Sequence, residues 1–142
     1  MRKPRNGDVI RVDRGLYAHY GIYVEAPSGG HVIHYTGDNG HSDFKGVVRE
    51  TSLREFLDGD NNFSICRFDD DEKYPHVYSG DETVRRARQK IGEKKYNLLA
   101  HNCEHFAMWC KTGKYDSCQT EILDVSGIFN GVLSSVEELF SF

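Results

Sequence analysis

The sequence predicts an α+β fold in which an antiparallel sheet packs against a helix that carries a cysteine. Up to residue 68, apolar side chains mostly alternate with polar ones, as they do in half-buried strands. From residue 79 onward they recur every three or four residues, as in amphipathic helices. A length of 142 residues, with 38% hydrophobic and 28% charged side chains, fits one soluble globular domain with its own core.

The predicted strands are rich in β-branched and aromatic residues and are bounded by turn-forming residues. They lie at residues 7–13, 16–24, 31–36, 47–50 and 63–68. The second and third strands are joined by Pro27-Ser28-Gly29-Gly30, which predicts an antiparallel pair. Each strand of this pair carries a histidine, His19 or His34, so we expect the two imidazoles near the same end of the hairpin.

Two short patterns predict where helices begin. Ser52-Leu53-Arg54-Glu55 is a capping box, in which the serine and the glutamate satisfy amides at the start of a helix. It predicts a short helix through Leu57 that ends at Asp58-Gly59. Ser79-Gly80-Asp81-Glu82 is a second N-terminal signature, and the helix after it is expected to end before Gly92.

A third helix is predicted to start within the run Asn102-Cys103-Glu104-His105-Phe106. Asn102 is a favoured N-cap residue, Cys103 then takes the first helical position, and Gly113 is a typical helix end. The amides and the dipole of a first helical turn favour negative charge, so they favour the thiolate form of Cys103. Cysteine is also among the most buried residue types, so a purely structural role for Cys103 is the alternative.

The chain divides into a domain at residues 1–120 and a C-terminal amphipathic helix at residues 121–142. In this last segment apolar residues recur with a period near 3.6. They are Ile122, Val125, Phe129, Val132, Val136 and Phe140. Acidic residues on its polar face, such as Asp124 and Glu137, argue against a transmembrane span. We expect the helix to pack on the domain, with a membrane or partner contact as the alternatives.

Charge and cysteine usage exclude several classes of function. A net charge of −4 without a basic cluster argues against nucleic acid as a partner. The basic N-terminus leads into no apolar stretch, so it is not a secretory signal, and we expect a cytoplasmic protein. The cysteines at positions 66, 103, 110 and 118 have no zinc-site spacing, so we expect free thiols, no metal site and no cofactor.

A thiolate acyl-transfer site needs a nucleophile, an imidazole that exchanges its proton, and a group that orients the imidazole. Cys103, His19 and His34 meet this need if the cysteine helix packs across the sheet. Spacing alone does not decide which histidine is the base. The competing histidines are His31, His41, His76, His101 and His105.

Several segments together resemble the lecithin:retinol acyltransferase family, which also contains the phospholipase A/acyltransferases. The run from His19 to His34 resembles the family's H-box, and residues 102–106 resemble its NC-box. The similarity runs in order from residue 7 to about 120. It includes Gly7-Asp8-Val9-Ile10, Gly21-Ile22-Tyr23-Val24, Val32-Ile33-His34-Tyr35 and Tyr96-Asn97-Leu98-Leu99.

The resemblance implies a circularly permuted papain-like fold in which the histidines precede the cysteine. It assigns Cys103 as nucleophile, His19 as general base and His34 as the residue that orients the base. Tyr17 and Asn102 match positions beside the reaction centre, so they are candidates for oxyanion or substrate contacts.

The activity implied by the resemblance is cleavage of a lipid acyl ester, expected to be a glycerophospholipid, through a thioester on the cysteine. Water as acceptor gives a hydrolase, and an alcohol or amine gives an acyltransferase. The alternatives are a papain-like cysteine amidase or peptidase, and a non-catalytic H-box/NC-box interaction module. The family's hydrophobic C-terminal anchor is replaced here by the amphipathic stretch, which implies at most a transient contact with a membrane surface.

Overall fold

A computed structural model describes residues 3–13, 18–37, 46–95, 100–115 and 122–124 of the chain. Within these ranges the protein is an α+β fold with an antiparallel sheet, as predicted. The strand order is β6-β4-β3-β2-β1-β5-β7, and every described strand pair is antiparallel. The strands are β1 (Val9–Asp13), β2 (Ala18–Val24), β3 (His31–Gly37), β4 (Gly46–Ser52), β5 (Ser64–Cys66), β6 (Lys94–Lys95) and β7 (Ile122–Asp124).

Three helices are described, and the first two begin where the capping patterns predict. They are α1 (Leu53–Leu57), α2 (Gly80–Gln89) and α3 (Ala100–Thr112). Ser52 caps α1 by accepting a hydrogen bond from the Glu55 amide at 3.1 Å, and Ser79 caps α2 through the Glu82 amide at 3.1 Å. Helix α1 ends at Asp58, whose left-handed backbone (φ 48°) closes the last turn.

The sheet separates two hydrophobic clusters, because successive side chains of a strand point to opposite faces. We call the first cluster the α1 core. It contains Ile10, Val12, Tyr23, Val32, Leu53, Phe56, Leu57, Phe63 and Ile65. The second, the α2/α3 core, lies beneath the two longer helices. It contains Val9, Tyr20, Ile22, Val24, Ile33, Tyr35, Val48, Cys66, Val84, Ala87, Cys103, Phe106, Ala107 and Cys110.

Gly21 allows α1 to approach the sheet closely. A Cβ atom at this position would lie 2.4 Å from Cγ1 of Val32, 3.0 Å from Cε1 of Phe56 and 3.2 Å from Cβ of His34. Because real Cβ atoms do not make contacts as short as the first, a side chain here would push the phenyl ring and its neighbours away. The absence of a side chain at Gly21 therefore positions Phe56 beside His34.

Two predictions about element boundaries are wrong. The N-cap assigned to Asn102 is not at the helix end, since α3 already begins at Ala100, and Asn102 and Cys103 both lie within its first turn. The predicted C-terminal helix includes Ile122–Asp124, but these residues form β7 and pair with β5. A short apolar run is compatible with either state, and here pairing with the neighbouring strand decides it.

The rest of the C-terminal prediction, residues 125–142, lies outside the described ranges, as does residue 121. The division of the chain at residues 120 and 121 therefore stays a prediction. Strand β7 nevertheless joins the same sheet as the strands of the first 120 residues.

Candidate active site

The predicted hairpin is confirmed, and it brings His19 and His34 together. Nε2 of His19 and Nδ1 of His34 are 2.9 Å apart, and the two residues are only 7% and 5% exposed. This separation is a hydrogen bond between two buried imidazoles. Each ring therefore restricts the orientation of the other.

Phe56 of α1 packs against both imidazoles. Its ring stacks on His19 with centroids 5.2 Å apart and planes 25° apart, and it meets His34 edge to face at 5.0 Å and 90°. These contacts place the histidine pair on the sheet face that α1 covers. The phenyl ring thus helps to exclude water from the pair.

The hydrogen bonds continue from His34 to the end of β4. Nε2 of His34 lies 2.8 Å from Oγ1 of Thr51, and this hydroxyl donates to the carbonyl oxygen of Ser52 at 3.0 Å. The side chains of Thr51 and His34 meet because β4 pairs with β3 in antiparallel register. The result is a chain of three hydrogen bonds that begins at His19.

Cys103 lies in the first turn of α3 and is 2% exposed. It belongs to the α2/α3 core, together with Tyr20, Tyr35 and Phe106. Tyr35 meets Phe106 edge to face at 5.5 Å and donates a hydrogen bond to Oε1 of Glu93 at 3.2 Å. Burial and then the Glu93 carboxylate raise the pKa of the Tyr35 phenol, so the tyrosine beside Cys103 is a neutral donor.

The thiol and the imidazoles approach the same part of the sheet from its two faces. Tyr20 and Tyr35, which pack with Cys103, directly follow His19 and His34 in the sequence. Strand alternation therefore directs the imidazoles to the α1 face and these tyrosines to the α3 face. The hydrogen bond joins the two histidines, and the cysteine belongs to the same hydrophobic core as the tyrosines that follow them.

The two remaining candidates cannot be placed in this way. Tyr17 lies outside the described residues. Asn102 is in the first turn of α3, and its side chain is outside the described part of the chain. Both stay predictions as substrate or oxyanion contacts.

The competing histidines that the structure describes lie apart from the His19–His34 hydrogen bond. Nδ1 of His31 lies 3.1 Å from Oε2 of Glu50, and His76 packs edge to face on Tyr78 at 4.5 Å. His105 is half-buried on α3, His101 is in its first turn, and His41 is outside the described residues. The buried pair consists of His19 and His34.

Sequence reasoning missed Thr51 and Phe56. The only available signal was position: Thr51 directly precedes the N-cap of α1, and Phe56 is the large apolar residue of that short helix. Neither residue type marks a site by itself. Their contacts with the histidines depend on strand register and helix packing.

Within the described ranges, no group of three histidine, cysteine, aspartate or glutamate side chains could hold a metal ion. Cys66, Cys103 and Cys110 are buried, and in the described part of the chain none of them forms a disulfide bond. No helix in the described part of the chain is long and apolar enough to cross a membrane.

The family model described as lecithin retinol acyltransferase matches residues 2–116. The chain belongs to this family.

Individual proteins similar to this chain are named as lecithin retinol acyltransferases or as phospholipase A and acyltransferases. Phospholipase A and acyltransferase 2 of Homo sapiens is 30% identical over 146 residues, which cover 94% of this chain and 86% of that protein. Lecithin retinol acyltransferase of Rattus norvegicus is 29% identical over 134 residues, covering 81% of this chain and 57% of that protein. Phospholipase A and acyltransferase 4 of Homo sapiens is 27% identical over 135 residues, covering 84% and 77%. The chain thus spans little more than half the length of the rat relative.

Proposed function

We propose that this protein is a cysteine-dependent acyltransferase or acyl hydrolase that acts on lipid acyl esters. In this proposal Cys103 is the nucleophile, His19 is the general base and His34 orients His19. The observation that carries it is the buried 2.9 Å hydrogen bond between His19 Nε2 and His34 Nδ1. A base held in place by a second buried group is what a thiol nucleophile requires.

The proposed first half-reaction transfers the acyl group to the protein. His19 takes the proton of the Cys103 thiol, and the thiolate attacks the carbonyl carbon of the ester. The tetrahedral intermediate then breaks its bond to the alcohol oxygen, which receives the proton from His19. The acyl group remains on Sγ of Cys103 as a thioester.

The second half-reaction releases the acyl group from Cys103. An acceptor with a hydroxyl or amino group attacks the thioester carbonyl and gives its proton to His19. The carbon–sulfur bond breaks, and the proton passes from His19 to the departing thiolate, so the protein returns to its starting state. Water as acceptor gives hydrolysis, and an alcohol or an amine gives acyl transfer.

The position of Cys103 in the first turn of α3 supports this role. Amide groups at a helix N-terminus favour a thiolate and can stabilise the oxyanion of the intermediate. Tyr17 and Asn102 are the proposed additional contacts. The order of the elements, histidine strands first and cysteine helix later, is the basis for proposing a circularly permuted papain-like fold.

The substrate class comes from the relatives. They are named for lecithin, for retinol acyl transfer and for phospholipase A activity, and we therefore propose a glycerophospholipid as the acyl donor. A lipid donor also implies transient contact with a membrane surface. An amide substrate, cleaved by the same groups, is the alternative that a substrate panel tests.

One observation favours a second function, a non-catalytic interaction module. Cys103 packs in the α2/α3 core, whereas the imidazoles of His19 and His34 pack against Phe56 on the α1 face. Catalysis requires the thiol to reach His19. If the two groups stay apart, the buried pair and the buried cysteine serve only to stabilise the fold.

The direct test is intact-mass measurement after incubation with a short-chain phosphatidylcholine and, separately, with a peptide amide. We expect the mass of one acyl chain to be added to the wild type with the lipid, and no addition to Cys103→Ala. Cys110→Ala is the matched control, because Cys110 is a buried thiol of the same helix. Equal turnover of the lipid by Cys103→Ala would contradict the proposal, and an adduct from the peptide amide alone would identify an amidase.

A further inference from the structure

In the three hydrogen bonds that run from His19 through His34 and Thr51 to Ser52, the donor and the acceptor of each bond can be identified. These assignments decide which ring nitrogen of His19 can accept a proton. We propose that Thr51 is a positioning residue that fixes the tautomers of both histidines, so that Nδ1 of His19 is the basic nitrogen. This inference rests on the proposed function only where it names His19 as the base. The tautomers themselves are properties of the unreacted protein.

The direction starts at the threonine hydroxyl, which has a single proton. Oγ1 of Thr51 donates this proton to the carbonyl oxygen of Ser52 at 3.0 Å. Because a carbonyl can only accept, the hydroxyl has no second proton to offer His34. In its 2.8 Å contact with Nε2 of His34, Thr51 must therefore be the acceptor and Nε2 must carry a proton.

The same reasoning passes through His34 to His19. A neutral imidazole with a proton on Nε2 has a lone pair on Nδ1. Nδ1 of His34 therefore accepts the 2.9 Å hydrogen bond from Nε2 of His19, which must carry a proton in turn. In the neutral state, this leaves the lone pair of His19 on Nδ1.

This arrangement suits a general base. When Nδ1 of His19 takes up a proton, Nε2 keeps its own proton and continues to donate to His34. The hydrogen bonds to His34 and Thr51 need no rearrangement during the reaction. The His19–His34 bond is buried and the two bonds of Thr51 are partly buried, so reorganising them is costly, and hydrogen bonds already directed for the charged state favour proton transfer.

The fold holds Thr51 firmly in place. Thr51 is directly opposite Val32 in the β3–β4 pair, and it is β-branched, so its side chain has few rotamers. Ser52, whose carbonyl receives the hydroxyl proton, caps α1 with its own side chain. The carbonyl that ends this series of hydrogen bonds therefore belongs to the residue that caps the start of α1.

The test compares Thr51→Val with Thr51→Ser. Valine keeps the shape and removes the hydroxyl, whereas serine keeps the hydroxyl. Without an acceptor for Nε2, we expect His34 to move its proton to Nδ1 and donate to Nε2 of His19, which then carries its own proton on Nδ1. We expect kcat/KM of Thr51→Val to fall on the order of 10- to 100-fold, mainly through kcat, with Thr51→Ser close to wild type.

The decisive readout is 15N NMR of the histidine rings, recorded in a Cys103→Ala background so that it does not depend on turnover. We expect His19 to carry its proton on Nε2 in the parent and in Thr51→Ser, and on Nδ1 in Thr51→Val. A parent in which His19 carries it on Nδ1 would overturn the inference without any Thr51 variant. Unchanged tautomers in Thr51→Val would do the same, whether or not the protein proves to be an acyltransferase.

Discussion

The phenyl ring of Phe56 lies nearly parallel to the imidazole of His19, with a centroid separation of 5.2 Å. The same ring meets His34 at 90°. One side chain of a five-residue helix therefore contacts both members of the buried pair.

We expect Phe56→Leu to lower acyl-transfer activity more than its effect on stability explains. The smaller side chain loses the stacking contact and lets water approach the histidines, and the cavity costs about 1–2 kcal/mol of unfolding free energy. Phe63→Leu is the control, since Phe63 is equally buried in the α1 core. Initial rates and urea denaturation of both variants test this, and equal losses of activity would refute a special role for Phe56.

Gly21→Ala should destabilise the fold by about 1–3 kcal/mol, because the new methyl group would overlap Val32 and press on Phe56. Gly37→Ala provides the comparison, since a Cβ there meets nothing within 4 Å. Chemical denaturation measures both changes. A neutral Gly21→Ala would mean that α1 can shift without cost.

Acid should weaken the attachment of α2 to the sheet. Arg88 donates two hydrogen bonds to Glu50 at 3.0 and 3.2 Å, and these, followed by the contact with His31, hold the pKa of Glu50 below its ordinary value. A lowered carboxyl pKa stabilises the fold above the pKa of the unfolded chain, about 4.3, and this contribution is lost as the pH falls through the folded-state pKa.

Glu50→Gln should therefore reduce stability at pH 7 and reduce the loss on acidification to pH 3. We expect a change below about 1 kcal/mol, since the pair is partly exposed to solvent. Unfolding free energies at the two pH values check this, with Glu25→Gln as a control at an exposed carboxylate. Identical pH dependence in wild type and Glu50→Gln would contradict the prediction.

The two cysteines of α3 should be alkylated at different rates. Burial raises the pKa of the Cys110 thiol well above its usual range, so this thiol stays protonated at neutral pH. If Cys103 exchanges its proton with His19, iodoacetamide at pH 7.5 should modify Cys103 at least about tenfold faster than Cys110. Peptide mapping after timed labelling gives both rates.

His19→Ala should remove that difference. Slow and similar rates for Cys103 and Cys110 in the wild type would favour the non-catalytic module. A fast Cys103 that is unaffected by His19→Ala would indicate another activating group.

Local chemistry in the sequence accounts for much of the fold. The serines at 52 and 79 predicted two helix starts, and the alternating segments predicted the hairpin that joins His19 to His34. The predicted start of α3 was wrong by a few residues. Asn102 is a good N-cap residue, but the alanine and the histidine before it can also adopt a helical conformation. Strands β6 and β7 have two and three residues, too few for a period to be recognised.

The site was less predictable because its contacts lie between elements. Thr51 meets His34 only through the register of β3 and β4, and Phe56 reaches the histidines only because Gly21 lacks a side chain. The face on which Cys103 packs depends on how α3 lies on the sheet. No pattern within α3 itself contains that information.

Ser52 takes part in two structures at once: its side chain caps α1, and its carbonyl receives the proton of Thr51. A helix of five residues is not stable alone and forms only when it docks on the sheet. Fraying of α1 would remove the phenyl ring that covers both imidazoles, so the exclusion of water from His19 depends on the order of a segment that lies more than thirty residues further along the chain.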